Sequence, residues 1–168
     1  TIPCQSILKS EESQKITDWI RHNPGIQNAV KFLADEFEIQ ITDDPAIVIG
    51  FERDYSNISG NAEALCRPVN EHECFLILAY CHQANIPMTI SAGRTNLNGS
   101  ATPNGGLVIS IEKMIMPKPC FDKKQGNISV PVGIYVEDMR KEVLIQSHNT
   151  LHFPVDPTSR KEAMIGGA

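Results

Sequence analysis

The sequence predicts an α+β chain, with N-terminal helices leading into a small parallel sheet of βαβ connectivity. Three observations carry that prediction. Apolar residues recur at helical spacing through two N-terminal segments. A capped apolar helix beginning at Asn70 leads into a short apolar strand, Met88-Thr89-Ile90. A long polar loop then separates this strand from a second apolar run at residues 107–111, and a loop at a strand's carboxyl end is the grammar of parallel sheets.

In chain order, Leu8, Ile16, Trp19 and Ile20 share one face, so a helix is expected over residues 5–22, broken by Asn23-Pro24-Gly25. A second helix runs through Val30, Phe32, Leu33 and Phe37, with Asp43-Asp44-Pro45 as its far limit. Residues 47–67 read as extended and irregular, closing with Ala64-Leu65-Cys66-Arg67-Pro68. Asn70 and Glu73 then make a capping box, the Asn70 side chain accepting near Glu73 and Glu73 reaching back. The helix that follows carries Cys74, Phe75, Ile77, Leu78 and Cys81 and ends near Asn85-Ile86-Pro87. Its apolar content predicts burial on more than one side. Beyond the strands at 88–90 and 107–111, residues 116–126 are Pro- and Lys-rich and read as a surface connection. A strand over 128–132, Gly133 and a helix over 136–146 complete the pattern, and no internal repeat is evident.

Composition narrows the classes. The 168 residues are 41% hydrophobic and 21% charged, a globular mix that excludes a disordered chain. No apolar run reaches the about 18 to 20 residues of a membrane helix, and the N-terminus lacks a signal-peptide pattern. A net charge of −5 argues against a nucleic-acid partner. That charge is unevenly placed: residues 1–60 hold five basic and ten acidic side chains, whereas the remainder is balanced and would not repel an anion. The cysteines, Cys4, Cys66, Cys74, Cys81 and Cys120, are odd in number and irregularly spaced, which predicts a reducing compartment without a disulfide framework. The ending Met164-Ile165-Gly166-Gly167-Ala168 places a glycine turn directly after an apolar pair and predicts a piece of a longer protein.

Two segments carry chemistry. Ser91-Ala92-Gly93-Arg94-Thr95-Asn96-Leu97-Asn98-Gly99-Ser100-Ala101-Thr102-Pro103 combines small residues with hydroxyl and amide side chains directly after a strand. Small residues admit a ligand close to the backbone, and successive N–H groups can form an anion-binding nest. The segment suits a pyrophosphate, although a plain polar turn has the same composition. It is neither a Walker loop nor a Gly-x-Gly-x-x-Gly turn, because the required glycine and lysine spacings are missing. The second segment, Phe153-Pro154-Val155-Asp156-Pro157-Thr158-Ser159, is stiffened by two prolines and precedes Ile165-Gly166-Gly167.

The order of these motifs resembles the FAD-binding domain of FAD-linked oxidoreductases of the vanillyl-alcohol oxidase / p-cresol methylhydroxylase (PCMH) type. The resemblance runs from Arg67-Pro68 before a helix, through Ala92 to Gly99 and Pro103, to Gly105-Gly106-Leu107-Val108. Val132-Gly133 before a helix, Pro154, Asp156, Pro157, Ser159 and Ile165-Gly166-Gly167 then follow in order, so it spans about residues 45–168. The glycolate oxidase and D-lactate dehydrogenase branch is the most similar.

This resemblance implies a two-lobed domain with FAD between its lobes: an N-terminal helical extension (1–44), a first lobe (45–115), and the start of a second lobe (116–168) truncated at the Gly-Gly turn. Ser91, Ala92, Gly93, Arg94, Thr95, Asn96, Leu97 and Asn98 would bind the pyrophosphate, largely through backbone N–H groups, and Gly99 would belong to the cofactor-binding set. Thr102 and Pro103 would lie close to the cofactor, and Pro157, Ser159, Gly166 and Gly167 would line its path. The implied activity is hydride removal from a small 2-hydroxy acid such as D-lactate or glycolate to FAD, with an electron acceptor downstream. The implied setting is cytoplasmic, with a peripheral place at the inner face of a membrane left open. Two other readings stay open: a non-catalytic flavin-fold subunit partnering another protein, and a cell-wall-precursor reductase. Arg94 stands where many relatives have glycine, and the loop has no histidine, which implies non-covalent FAD. The segment alone is expected to hold FAD weakly and to be inactive.

Other candidates read as structural. His72, Cys74, Cys81 and His82 do not converge on a metal at helical spacing. Glu137-Asp138 suits a helix start, and Lys123-Lys124 is too short a basic run for nucleic acid. His148, His152, Tyr55 and Tyr135 read as surface or packing residues.

Overall fold

A computed structural model describes residues 8–168. The first helix, α1 (Ser10–His22), begins after Lys9, whose N–H donates to the Glu12 carboxylate; residues 5–7 of the expected helix lie outside the described residues. Its buried Ile16 and its Trp19, stacked on Phe32 at 5.0 Å, face α2 (Ile26–Phe37). The second helix stops at Phe37 rather than near Asp43, because Glu38 turns left-handed (φ 55°) and returns its N–H to the Ala34 carbonyl.

Beyond it the structure corrects the extended reading of residues 47–67. After β1 (Ile41–Thr42), a helical turn α3 (Pro45–Val48) runs into a tighter turn at Ile49–Phe51. Asp44 accepts from the Ala46 N–H and Pro45 occupies the first helical position, so Asp44-Pro45 starts a helix rather than limiting one. Only residues 52–63 are irregular, before β2 (Ala64–Cys66). The helix α4 (Glu71–Ala84) is capped as expected by Asn70, which accepts from the Glu73 N–H at 2.9 Å. The return bond differs: the Glu73 carboxylate reaches the Val69 N–H, not that of Asn70. Asn85, left-handed at φ 51°, ends the helix.

The chain then enters β3 (Met88–Ser91), crosses the long loop and returns as β4 (Leu107–Ser110). The strand order is β1-β2-β4-β3, with β2, β4 and β3 parallel and β1 antiparallel at the edge. Leu65 and Thr89 flank Val108 in register. Gly106 makes that register possible: at φ 71° it lies so close to the Pro87 carbonyl that a side chain would collide with it. Tyr80, Ile77, Leu107 and Ile109 are sealed from water between the helices and the sheet. The helices α1 and α2 share this core with β2 and β4. On α4, Leu76, Ile77, Tyr80 and Cys81 are buried while Phe75 and Leu78 stay half-exposed.

After β4 comes a hairpin: β5 (Cys120–Asp122) lies where a plain connection was expected, and β6 (Asn127–Ser129) is the strand expected over 128–132, starting one residue earlier and stopping at Ser129. The Asp122 carboxylate accepts from the Lys124 N–H and shapes the turn, a local signal masked by the surrounding lysines. The helix α5 (Val136–Gln146) has the expected bounds. Residues 163–166 then run back beside residues 132–136, bonded through Val136 N–H to Ala163 O, Ile165 N–H to Ile134 O and Gly166 N–H to Val132 O, each 2.9 Å. This return brings the final glycines to the loop that follows β3.

Candidate functional site

The carboxyl end of β3 delivers Ser91, fully buried, to the rim of the sheet. Its hydroxyl has no partner among the described residues. From there the loop passes against residues 162 and 163. Gly93 sits so close to the Glu162 carbonyl and the Ala163 backbone that a Cβ would collide with them. Its glycine is required by a neighbouring segment of the same chain, not only by an approaching ligand. Gly167 faces the loop from the other side, where an added Cβ would stand 3.2 Å from the Ala92 side chain.

Between these contacts lies a cleft of about 240 Å³. Ala92, Gly93, Arg94, Thr95 and Asn96 line one wall, and Ala163, Met164, Gly166 and Gly167 the other. No carboxylate side chain among the described residues lines it. The backbone N–H groups of Gly93, Arg94, Thr95 and Asn96 donate to no acceptor among the described residues. A half-enclosed run of free donors, flanked by small residues and free of acidic groups, fits an anion of diphosphate size.

The loop's shape comes from a residue that sequence reasoning missed. Asp54 is only 8% exposed, and its carboxylate accepts from the Ser56 N–H at 2.9 Å, from the Asn96 side-chain amide and from the Ala101 N–H at 3.3 Å. Hydrogen bonding from Ser56, side chain foremost, then from Asn96 and Ala101, outweighs partial burial and holds its pKa at about 2. The Arg94 carbonyl accepts from the Tyr55 N–H, so residues 54–56 brace the loop at Arg94, Asn96 and Ala101. The Asp54-Tyr55-Ser56 triplet is an Asx-turn pattern, and that signal was legible.

The remaining predicted residues are placed less directly. Leu97 is 79% exposed at the loop tip. Asn98 accepts from the Asn96 amide and the Ser100 N–H, and Gly99 makes the turn at φ 77°. Thr102 and Pro103 lie behind the loop: Pro103 is buried with its carbonyl accepting from Asn61 N–H, and the Thr102 hydroxyl is buried without a partner among the described residues. Pro157 and Ser159 stand outside the cleft wall, their carbonyls accepting from the Arg160, Glu162 and Ala163 N–H groups and so shaping the approach to Ala163. Cys66, Cys74, Cys81 and Cys120 carry free thiols, and burial pushes that of Cys81 up to about 12.

Fold and cleft together define an α+β domain with a narrow cleft of small residues at the carboxyl end of a parallel strand. The chain belongs to the FAD binding domain family, whose family model matches residues 62–168. Among curated proteins it is 31% identical to a D-lactate dehydrogenase of Anaerostipes hadrus over 120 residues, covering 70% of this chain and 24% of the relative. It is also 31% identical over 106 residues to glycolate oxidase subunit GlcD of Bacillus subtilis (strain 168), covering 62% and 22%. The chain thus spans about a quarter of the length of these relatives. Among solved structures, an alkyldihydroxyacetonephosphate synthase superposes with a TM-score of 0.68 at 16% identity, covering 86% of this chain and 29% of that one. At this identity the likeness shows the fold.

Proposed function

We propose that this chain is the FAD-binding part of a flavin-dependent oxidoreductase that oxidises a small 2-hydroxy acid such as D-lactate or glycolate. The observation that carries the reading is that residues 93–96, whose N–H groups are uncommitted among the described residues, line a cleft opposite Gly166 and Gly167 with no carboxylate side chain among the described lining residues. The names of the D-lactate dehydrogenase and glycolate oxidase relatives support the substrate class.

In this reading the N–H groups of residues 93–96 bind the FAD diphosphate. Ala92, Gly166 and Gly167 keep the cleft narrow. Bound FAD supplies the hydride acceptor for oxidation at a substrate carbon. Non-covalent attachment belongs to the same reading; among the described residues, neither histidine nor cysteine lines the cleft. The division into a helical extension (1–44), a first lobe (45–115) and the start of a second lobe (116–168) belongs to the same reading. So does a cytoplasmic setting, in which the thiols stay reduced; no helix among the described residues is long and apolar enough to cross a membrane.

The test is flavin absorbance in the intact protein with FAD bound. Bleaching on addition of D-lactate or glycolate under anaerobic conditions is the expected result. FAD binding without bleaching by any 2-hydroxy acid would reassign the chain to a non-catalytic flavin-fold subunit, and absence of FAD binding would end the reading.

A further inference from the structure

Arg94 holds a backbone conformation (φ 53°) that side chains with a Cβ adopt at a cost. A glycine would adopt it without that cost. The side chain standing there has an unusual neighbour. Its guanidinium carbon lies 4.4 Å from the centroid of the Phe51 ring, and Phe51 is itself 7% exposed at the end of the turn Ile49–Phe51. A second guanidinium, that of Arg67, lies 5.3 Å from the same centroid, but it is paired with the Glu112 carboxylate. Arg94 makes no ion pair and no side-chain hydrogen bond among the described residues. It lines the cleft, half-exposed.

We infer that Phe51 is a positioning residue, an aromatic platform that fixes the Arg94 guanidinium at the cleft so that it meets the diphosphate of a flavin dinucleotide as a preset cation. The inference rests on the FAD reading above and adds to it a side-chain charge and the residue that aims it. A guanidinium held over an aromatic ring keeps its N–H groups free for phosphate oxygens. A stacked guanidinium also loses less freedom on binding than one on a mobile chain. Arg67, already neutralised by Glu112, helps hold the ring without competing for the anion.

FAD affinity of the intact protein, read from quenching of flavin fluorescence at low and at high salt, tests this. Arg94→Gln is expected to weaken binding about tenfold at low salt and to flatten its salt dependence, because a charge-assisted contact is lost. Phe51→Leu should weaken binding several-fold, Phe51→Tyr should bind like the wild type, and Phe51→Leu should cost nothing further in the Arg94→Gln background. Unfolding midpoints of each variant separate misfolding from lost aim. If Arg94→Gln binds FAD as tightly as the wild type with the same salt dependence, the inference falls and the FAD reading stands. It falls equally if the Phe51→Leu effect persists undiminished beside Arg94→Gln. A wild-type protein that binds no FAD would overturn both.

Discussion

Beneath the parallel strands, Tyr80, Ile77, Leu107 and Ile109 are excluded from water and meet one another through side chains. Around the cleft, contacts run instead between backbone atoms: Gly93 against Glu162, Gly166 N–H to Val132, and the Asp54 carboxylate to the loop. The first region draws its stability from apolar burial, which is large and tolerant of small shifts. The second depends on close approach and on hydrogen-bond geometry, which contribute little free energy each but fix positions. A mutation in the sheet region should therefore lower stability and spare binding, and one at the cleft should do the reverse.

The largest expected effect breaks the first half of that contrast. Ile77→Ala removes a fully buried side chain at the centre of the core and should cost about 3 kcal/mol in unfolding free energy. Urea unfolding of the intact protein should show a lower midpoint with an unchanged slope. The fraction still folded should bind FAD with wild-type affinity. A matching loss of affinity would show that the core and the cleft are one cooperative unit.

Gly93→Val tests the other half. The new side chain would collide with the Glu162 carbonyl and drive the loop and residues 162–163 apart. FAD affinity should fall tenfold or more, while the unfolding midpoint changes less than in Ile77→Ala. Hydrogen exchange should quicken at Glu162 and Ala163, whose N–H groups donate to the Ser159 carbonyl. Wild-type exchange and affinity together would remove Gly93 from the site.

The same contrast explains what could be read from sequence. The helices α4 and α5 were legible because burial follows helical spacing and Asn70 marks a start; the strands at Met88 and Leu107 were legible from their apolar runs. Short elements were not. The two residues of β1 have no periodicity, and Asp44-Pro45 reads as a stop or a start depending on which neighbour owns it. In the cleft, motif order located the loop and the final glycines, and the structure brings both to one place. Nothing local, however, pairs Gly93 with Glu162, because that contact joins residues almost seventy positions apart through the fold. Asp54 was missed for a related reason: its Asx-turn was visible, its reach to Asn96 and Ala101 was not.

A smaller effect sharpens the role of Asp54. Asp54→Asn exchanges one acceptor oxygen for a donor facing the Asn96 amide, so loop geometry should loosen and FAD affinity fall several-fold. Exchange at Ala101 should quicken. The double swap Asp54→Asn with Asn96→Asp restores one donor–acceptor pair and should recover part of the loss. The pH dependence has a defined sign. The folded pKa, about 2, lies below the ordinary 3.8, so the carboxylate's contribution is fully present above pH 3.8 and is lost as pH falls toward 2. Loop protection in the wild type should thus be flat from neutral pH down to that window, and a transition near pH 6 would point to a different group.

The smallest expected effect is at the loop tip. Leu97 belongs to the same motif as Gly93 and Asn96, yet it is 79% exposed and lines no part of the cleft. An exposed leucine in a motif of small and polar residues has two physical explanations: it is a solvated tip, or it closes on something that the cleft side presents. The solvated tip predicts that Leu97→Ala shifts FAD affinity by less than about twofold and leaves the unfolding midpoint in place. Ala92→Val is the matched control, since Ala92 lines the cleft and an added Cβ on Gly167 would stand 3.2 Å from it; extra bulk there should weaken binding clearly. If Leu97→Ala instead loses tenfold while Ala92→Val is silent, the ligand lies over the tip rather than between Ala92 and Gly167, and the cleft is only the scaffold behind the true contact surface.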